Sequence, residues 1–345
     1  STGTDTEVIL LLYAKIGEEA FSKFRGMWAM SILDLEKGKL ILSRDRFGIK
    51  PLYHTDNLDS LAFSSEINPL LALPRMKPQW EREKLVQFLV YGATSDPCET
   101  FFKGISSVKP GCYLTFDIET LQKEEHRYYD LRSRASKAEF TNDSFDSRFE
   151  ESIREHLISD LEVGSCLSGG LDSSAIVATA YPSVKQSFTC SFPESPIDET
   201  DFAKQLTSAC ADLQQHFTSP SSEDYFEAVD EIIRSQERPI GSASVFAQYA
   251  VMKSAKEKGV TVLLDGQGAD EVFGGYYPFA GAYLLSILKS GNFSRFKKEM
   301  KLLKQNFNPK MEMAMMRSVF YNLPKGMKLL ARKKNRLGFD LLSSR

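Results

Sequence analysis

The stretch Leu167-Ser168-Gly169-Gly170-Leu171-Asp172-Ser173-Ser174 constrains this chain more than any other. An apolar run, Val163 to Leu167, enters it, and an Ala-rich apolar run, Ala175 to Ala180, leaves it. The pattern predicts a strand, a tight glycine loop and a helix. Two consecutive glycines allow φ > 0 and let a ligand approach bare peptide N–H groups. Ser168, Ser173 and Ser174 add hydroxyl donors, and the following helix presents its positive end. Successive N–H groups aimed into one concavity make an anion nest. Asp172 is the one acid within the loop. A carboxylate in a phosphate nest repels its ligand unless a cation stands between them, so Asp172 is assigned to Mg²⁺.

The common P-loop carries a Lys after its last Gly, and this loop has none. SGGLDSS instead resembles the pyrophosphate-binding loop of the ATP pyrophosphatase superfamily. That resemblance implies cleavage of ATP between its α and β phosphates, adenylation of a carboxylate or carbonyl oxygen, and release of pyrophosphate.

Around the loop the chain has two textures, and its 345 residues predict two domains. From Glu162 onward, strand and helix alternate. Strands are predicted over Gln186–Phe192, Gln215–Thr218 and Val260–Leu264, and helices over Glu199–Ala211, Glu223–Ser235 and Ala243–Lys258. Such alternation predicts a parallel sheet with helices on both faces and a ligand at the carboxyl ends of its strands. A second glycine loop, Asp265-Gly266-Gln267-Gly268-Ala269-Asp270-Glu271, follows the last of these strands and opens a helix.

The front of the chain is different. Thr4-Asp5-Thr6-Glu7 has a capping-box pattern ahead of a helix predicted over Asp5–Ile16. Short runs at Met27–Leu35, Lys39–Arg44, Pro51–Thr55 and Leu61–Ser64 read as antiparallel hairpins, as do Cys112–Asp117 and Gln122–Tyr128. Helices are predicted at Glu66–Leu73 and Glu81–Tyr91. Polar residues 131–142 read as a linker, and Phe145, Phe149, Ile153 and Leu157 mark an amphipathic helix after it.

A second resemblance lies in this front region. Phe24-Arg25-Gly26-Met27-Trp28-Ala29-Met30, Arg44-Asp45-Arg46-Phe47-Gly48-Ile49-Lys50-Pro51-Leu52-Tyr53 and Ser64-Ser65-Glu66-Ile67 are similar to the later part of a class II glutamine amidotransferase domain. Phe101-Phe102-Lys103-Gly104-Ile105 resembles its closing segment. In this order, ahead of SGGLDSS, they resemble the glutamine-hydrolysing asparagine synthetase family. The implied fold class is α/β: a partial Ntn-type αββα glutaminase domain over 1–130, then a Rossmann-like ATP pyrophosphatase domain over 143–345. The implied activity adenylates the side-chain carboxylate of aspartate with ATP and Mg²⁺. Glutamine-derived ammonia then gives asparagine, AMP and pyrophosphate.

The resemblance also distributes roles. Ser168, Gly169, Gly170, Asp172 and Ser173 take the pyrophosphate, and Asp172 and Asp270 take Mg²⁺. Leu167, Cys190, Asp265 and Gly266 contact the adenosine side. Asp5 holds the amine of glutamine. Cys190 reads equally well as a buried core thiol, and Asp198-Glu199 as a family acidic pair or as a helix cap.

Three departures accompany the resemblance. There is no cysteine before Cys98, so the N-terminal nucleophile of class II amidotransferases is absent and the front of that domain is expected to lie outside the chain. No counterpart of the family's later catalytic Lys follows the second loop, so the rear domain is expected to be truncated; the residues there are Lys-rich and read as helical. Gln267 stands where the family usually has Glu, and Gln cannot take a proton from ammonia. That substitution keeps open another acid acceptor, such as a uronic acid of a surface polysaccharide, or a degenerate nucleotide-binding protein.

Net charge is −3, so nothing advertises nucleic acid or an anionic membrane surface, and the resemblance implies small-molecule substrates. No apolar run spans a bilayer and no signal-peptide pattern opens the chain, so a cytoplasmic location is expected. Five cysteines without CxxC spacing read as free thiols, and four scattered histidines argue against a His-based metal site. A homodimer is compatible with the resemblance.

Overall fold

The computed structural model describes residues 3–55, 60–92, 98–135, 141–193, 195 and 198–306. The chain forms two compact units, one ending at Leu264 and one beginning at Asp265. The Lys-rich stretch read as helical after about Tyr283 is helical over most of its length up to Asn306, and the rest of it lies outside the described residues.

Helix α1 runs over Asp5–Ile16, as the sequence predicts. Thr4 is its N-cap but makes no side-chain capping bond, so the predicted capping box does not close. A 3₁₀ turn, Gly17–Ser22, follows. Then come strands β1 (Ala29–Asp34), β2 (Lys39–Arg44), β3 (Tyr53–Thr55) and β4 (Ala62–Ser64), and helices α2 (Asn68–Leu71) and α3 (Arg82–Tyr91). Strands β5 (Ser106–Ser107), β6 (Cys112–Asp117) and β7 (Lys123–Arg127) complete this part. They form two antiparallel sheets, β1-β2-β6-β7 and β4-β3-β5. The hairpins β1–β2 and β6–β7 are local, but Lys39 of β2 pairs with Asp117 of β6 across most of the domain.

Side chains alternate across each strand, and the alternation sets the layers. Ile32, Ile41 and Tyr113 face α1 and pack with Tyr13 and Phe21. Leu42, Leu114 and Phe116 face the other way and meet Leu52 and Val108. On the far side of the second sheet, Ile67 and Leu70 close over Tyr53 and Ala62. The order is helix, sheet, sheet, helix, the expected αββα arrangement.

One buried acid organises the loop between β2 and β3. Asp45 is 1% exposed, and its carboxylate accepts from the N–H groups of Trp28 (3.3 Å), Phe47 (3.1 Å), Ile49 (3.0 Å) and Lys50 (2.9 Å). Beside it, the Arg44 guanidinium donates to the carbonyls of Gly48, Lys50 and Val108 and to Ser107 Oγ. Arg46 donates to the carbonyls of Ser22 and Phe24.

Helix α4 (Leu131–Ala135) lies within the stretch read as a linker. Helix α5 (Asn142–His156) starts at a closed capping box between Thr141 and Ser144. The rest of the first unit is β8 (Val163–Cys166), α6 (Leu171–Ala180), β9 (Gln186–Cys190), α7 (Thr200–Ser208), β10 (Gln214–Thr218), α8 (Ser222–Gln236), α9 (Ser244–Glu257) and β11 (Val262–Leu264). All four strands are parallel, in the order β10-β9-β8-β11. One face packs α5, α6 and α7 through Ile153, Val177, Ala180 and Ala203 onto Val163 and Leu167. The other packs α9 through Val251 and Ala255 onto Cys166 and Phe188. Gly164 is squeezed here: a Cβ on it would lie 2.9 Å from Val260 Cγ1.

The second unit holds α10 (Ala269–Phe273), α11 (Tyr277–Lys289) and α12 (Phe293–Asn306). Cys112, Cys166 and Cys210 are buried. No helix among the described residues is long and apolar enough to cross a membrane.

Candidate active site

The chain leaves β8 at Cys166 and turns over Leu167–Gly170 into α6, at the carboxyl end of a central strand. Leu167 is fully buried, with its side chain in the core. Its N–H donates to the Phe188 carbonyl at 2.9 Å, and its own carbonyl accepts from Thr189 Oγ1 at 2.5 Å. Ser168 and Ser173 hold the loop's shape from within. Ser173 Oγ accepts from the Ser168 N–H at 3.2 Å and lies 3.0 Å from Ser168 Oγ, which accepts from the Gly170 N–H at 3.1 Å.

The two glycines do different work. Gly169 takes φ +95°, and a Cβ there would fall 2.3 Å from the Glu199 carbonyl oxygen and 3.1 Å from the Ala203 nitrogen. Gly170 is extended at φ −67°, ψ 164°, so only the first of the pair uses the positive φ that two glycines allow. Gly170 is the N-cap of α6 and supplies no side-chain cap. The first-turn N–H groups of this helix therefore meet no capping side chain, the condition under which a helix N-terminus takes an anion.

Acids gather at the loop. Asp172 lies in the first turn of α6, half-buried. Glu199, the N-cap of α7, puts Oε2 3.4 Å from where a Gly170 Cβ would be. Its neighbour Asp198 is committed to the turn. Hydrogen bonds from Thr200 Oγ1, the Thr200 N–H and Ser191 Oγ hold its carboxyl below the usual carboxylate range. The sequence presents Asp198 and Glu199 as one pair; the structure separates them into a turn-former and an acid against the loop.

Behind the loop runs a polar chain. Thr189 is 1% exposed, and its Oγ1 accepts from Gln215 Nε2 at 3.2 Å while Gln215 Oε1 accepts from Thr207 Oγ1 at 2.8 Å. Thr189→Val keeps the shape and removes the donor to the Leu167 carbonyl. The variant is expected to lose about 1–2 kcal/mol in urea unfolding, the cost of stranding a buried acceptor; an unchanged midpoint would show that the carbonyl needs no partner. Cys190, at the end of β9, packs on the Cys166–Phe188 cluster, and burial pushes its thiol up to about 11, so it is neutral at neutral pH. Asp5 is elsewhere, exposed in the first turn of α1.

In the second unit, Gln267 is exposed, while Asp265, Gly266 and Asp270 are half-buried. Gly268 takes φ +97° to start α10. Asp270 folds back so closely that a Cβ on Gly275 would overlap its Oδ1 at 1.8 Å. Gly275 is thus the residue that seats Asp270, a role visible in the sequence only as one more glycine.

Residues 144–335 match the family model described as asparagine synthase. The chain belongs to the asparagine synthase family. Residues 1–129 match a glutamine amidotransferase domain. Among similar proteins, a putative glutamine-hydrolysing asparagine synthetase 2 of Methanocaldococcus jannaschii is 31% identical over 297 residues, covering 84% of this chain and 57% of that protein. Asparagine synthetase 1 of Bacillus subtilis is 35% identical over 283 residues, covering 80% and 44%. An amidase, chry2, of Gibberella zeae is 28% identical over 300 residues, covering 80% and 44%. The chain spans about half the length of these relatives.

For this family member the residues present fit a magnesium-bound nucleotide. Among the described residues no cluster of three or more His, Cys, Asp and Glu could cage a metal alone. Mg²⁺ on a nucleotide needs one or two carboxylates and takes its other ligands from phosphates and water. Asp172 and Glu199 beside an uncapped helix start offer the hard oxygen donors that this requires.

Proposed function

We propose that this chain is part of a glutamine-dependent amidotransferase that adenylates the side-chain carboxylate of aspartate and converts it to asparagine. The observation that carries the reading is the uncapped start of α6, with Gly169 pressed against Glu199, at the carboxyl end of β8. Its presence in one chain with the αββα layers supports glutamine as the nitrogen source.

In this reading Gly169, Gly170 and the first turn of α6 bind the pyrophosphate of ATP, and Ser168 and Ser173 keep the loop in shape. Asp172, with Glu199 beside it, and Asp270 would each offer a carboxylate to Mg²⁺, which would supply charge neutralisation for the departing pyrophosphate. Cys190, Asp265 and Gly266 line the adenosine side, while Leu167, also expected there, is fully buried with its N–H and carbonyl engaged and supports the loop from beneath. The aspartate carboxylate attacks the α-phosphorus, giving an acyl adenylate whose leaving group is AMP. Ammonia released from glutamine, whose amine Asp5 holds, attacks that carbonyl. Water must be kept out, because hydrolysis would waste the adenylate.

A second reading changes only the acid. Gln267 cannot accept a proton from the incoming amine, and a similar protein carries the name amidase. In that reading the same machinery amidates another carboxylate.

The test is pyrophosphate release by the intact natural protein with ATP, Mg²⁺ and ammonia, with and without aspartate. Aspartate-dependent release with asparagine formed is the expected result. Release that ignores aspartate and responds to a different carboxylate would replace the first reading with the second.

A further inference from the structure

Glu237 is a glutamate where a helix wants glycine. It is the C-cap of α8 in the left-handed region, at φ 53°, ψ 28°. Among the described residues only Leu121 shares a positive φ without being glycine. A left-handed C-terminal residue is ordinarily Gly or Asn, because a Cβ is strained there. Strain of this kind persists where the surroundings hold it.

What holds it is a contact 170 residues away. Glu237 Oε2 accepts from the Ile67 N–H and Oε1 from the Asn68 N–H, both at 2.5 Å. Asn68 returns a contact to the Arg234 carbonyl at 3.5 Å. These N–H groups open α2, whose N-cap Ile67 supplies no side-chain cap of its own. Ile67 is itself 4% exposed in the core behind the second antiparallel sheet. The carboxylate thus completes an element of the αββα layers from a helix of the parallel-sheet layers.

The connector that follows continues the seam. A Cβ on Gly241 would sit 3.7 Å from the Phe88 ring and 3.8 Å from the Gly92 carbonyl, against the end of α3. Three residues on, α9 begins, and it packs on Cys166 and Phe188 directly beneath the candidate nucleotide loop. A second tie across the seam, Arg25 to Glu151 and Glu155, is between exposed side chains and contributes little.

We propose that Glu237 is a positioning residue that couples the glutamine-hydrolysing layers to the ATP-using layers, so that ammonia made in one is used in the other. The proposal rests on the functional reading above. Glu237 lies outside both glycine loops; it ties the start of α2 to the end of α8, from which the chain runs on into α9.

The test compares E237A and E237G in the intact natural protein. Glycine is the preferred residue for this backbone, so E237G removes the carboxylate and relieves the helix end. Both variants are expected to lose about ten-fold or more protection from hydrogen exchange at Ile67 and Asn68, the loss of a charge-assisted bond. With glutamine as donor, glutamate released per amide formed is expected to rise about three-fold or more. With free ammonia, pyrophosphate release stays within about two-fold of the wild type, because the nucleotide loop is untouched. An E237G protein with the wild-type glutamate-to-amide ratio overturns the proposal, and so does an equal loss with either nitrogen donor. A wild-type protein with no ammonia-dependent pyrophosphate release overturns the functional reading instead, and amide exchange alone then decides whether the clasp exists.

Discussion

Gly169→Ala is expected to destabilise the chain by about 3 kcal/mol, combining a strained left-handed alanine with overpacking against backbone. The same change is expected to slow ATP-dependent pyrophosphate release about a hundred-fold, the usual effect of displacing a binding loop by about an ångström. A Cβ at this position would meet the Glu199 carbonyl oxygen at 2.3 Å, a main-chain atom at the start of α7 that no rotamer change can remove. Either the loop or the helix start must move. Moving the loop shifts the first turn of α6; moving α7 breaks the Asp198–Thr200 turn before it.

Gly170→Ala is the control. Its backbone is extended, and its Cβ would meet Ser168 Oγ at 3.3 Å and Glu199 Oε2 at 3.4 Å, both side-chain atoms. Those can yield by a few tenths of an ångström, so G170A is expected to cost less than about 1 kcal/mol. Urea unfolding of the two variants side by side, with pyrophosphate release in the intact protein, checks the pair. Equal effects at 169 and 170 would show that the contact with Glu199 does not set the loop.

How much of this was legible beforehand differs by element. Residues 5–16, 39–44 and 112–117 have the predicted limits to the residue, because each is bounded by Gly or by an Asp-containing turn and carries a clean period. The strand–loop–helix around Gly169 was equally plain. Pairing was not. Period-2 patterning gives a strand its two faces but no neighbour, and β2 takes one neighbour locally and the other, β6, from far along the chain. β5 is two serines long, too short for any pattern to show.

Capping departs from the sequence pattern for a chemical reason. Thr4 and Glu7 fit the usual capping-box pattern and do not close it, whereas Thr141–Ser144 and Ser221–Asp224 close theirs with shorter third-position side chains that the pattern omits. At the candidate site, sequence places Asp172 and the loop residues together because they are contiguous. It has no means of placing Glu199 against Gly170, since that contact depends on how α7 returns to the sheet. Thr189 and Glu237 are hidden for the same reason: each acts on a backbone group remote in sequence.

Asp45 shows how a recognisable motif can owe its residues to architecture, and Asp45→Asn is expected to cost about 3–5 kcal/mol, as removal of a buried hydrogen-bonded charge does. Oδ1 accepts from the Phe47 and Ile49 N–H groups, and Oδ2 from those of Trp28 and Lys50. An asparagine has one oxygen and one NH₂. Whichever way the amide is turned, its NH₂ faces two N–H donors, and at 1% exposure there is no water to take over. Asp45→Ala strands all four donors and should be no better. Asp117 makes a similar set of turn bonds, to Glu119 N, Thr120 N and Thr120 Oγ1, but is exposed, so D117N exchanges its lost partners for water and has the smaller effect. Urea unfolding of the three variants measures this directly. A D45N midpoint close to that of D117N would show that the loop finds other partners for its N–H groups. A large loss assigns the Arg44–Tyr53 segment to the interior frame of the αββα layers: Arg44 and Asp45 hold backbone from two directions, and their side chains are spent before any substrate arrives. Effects of such variants on glutamine hydrolysis would then follow from a loosened frame rather than from a lost substrate contact.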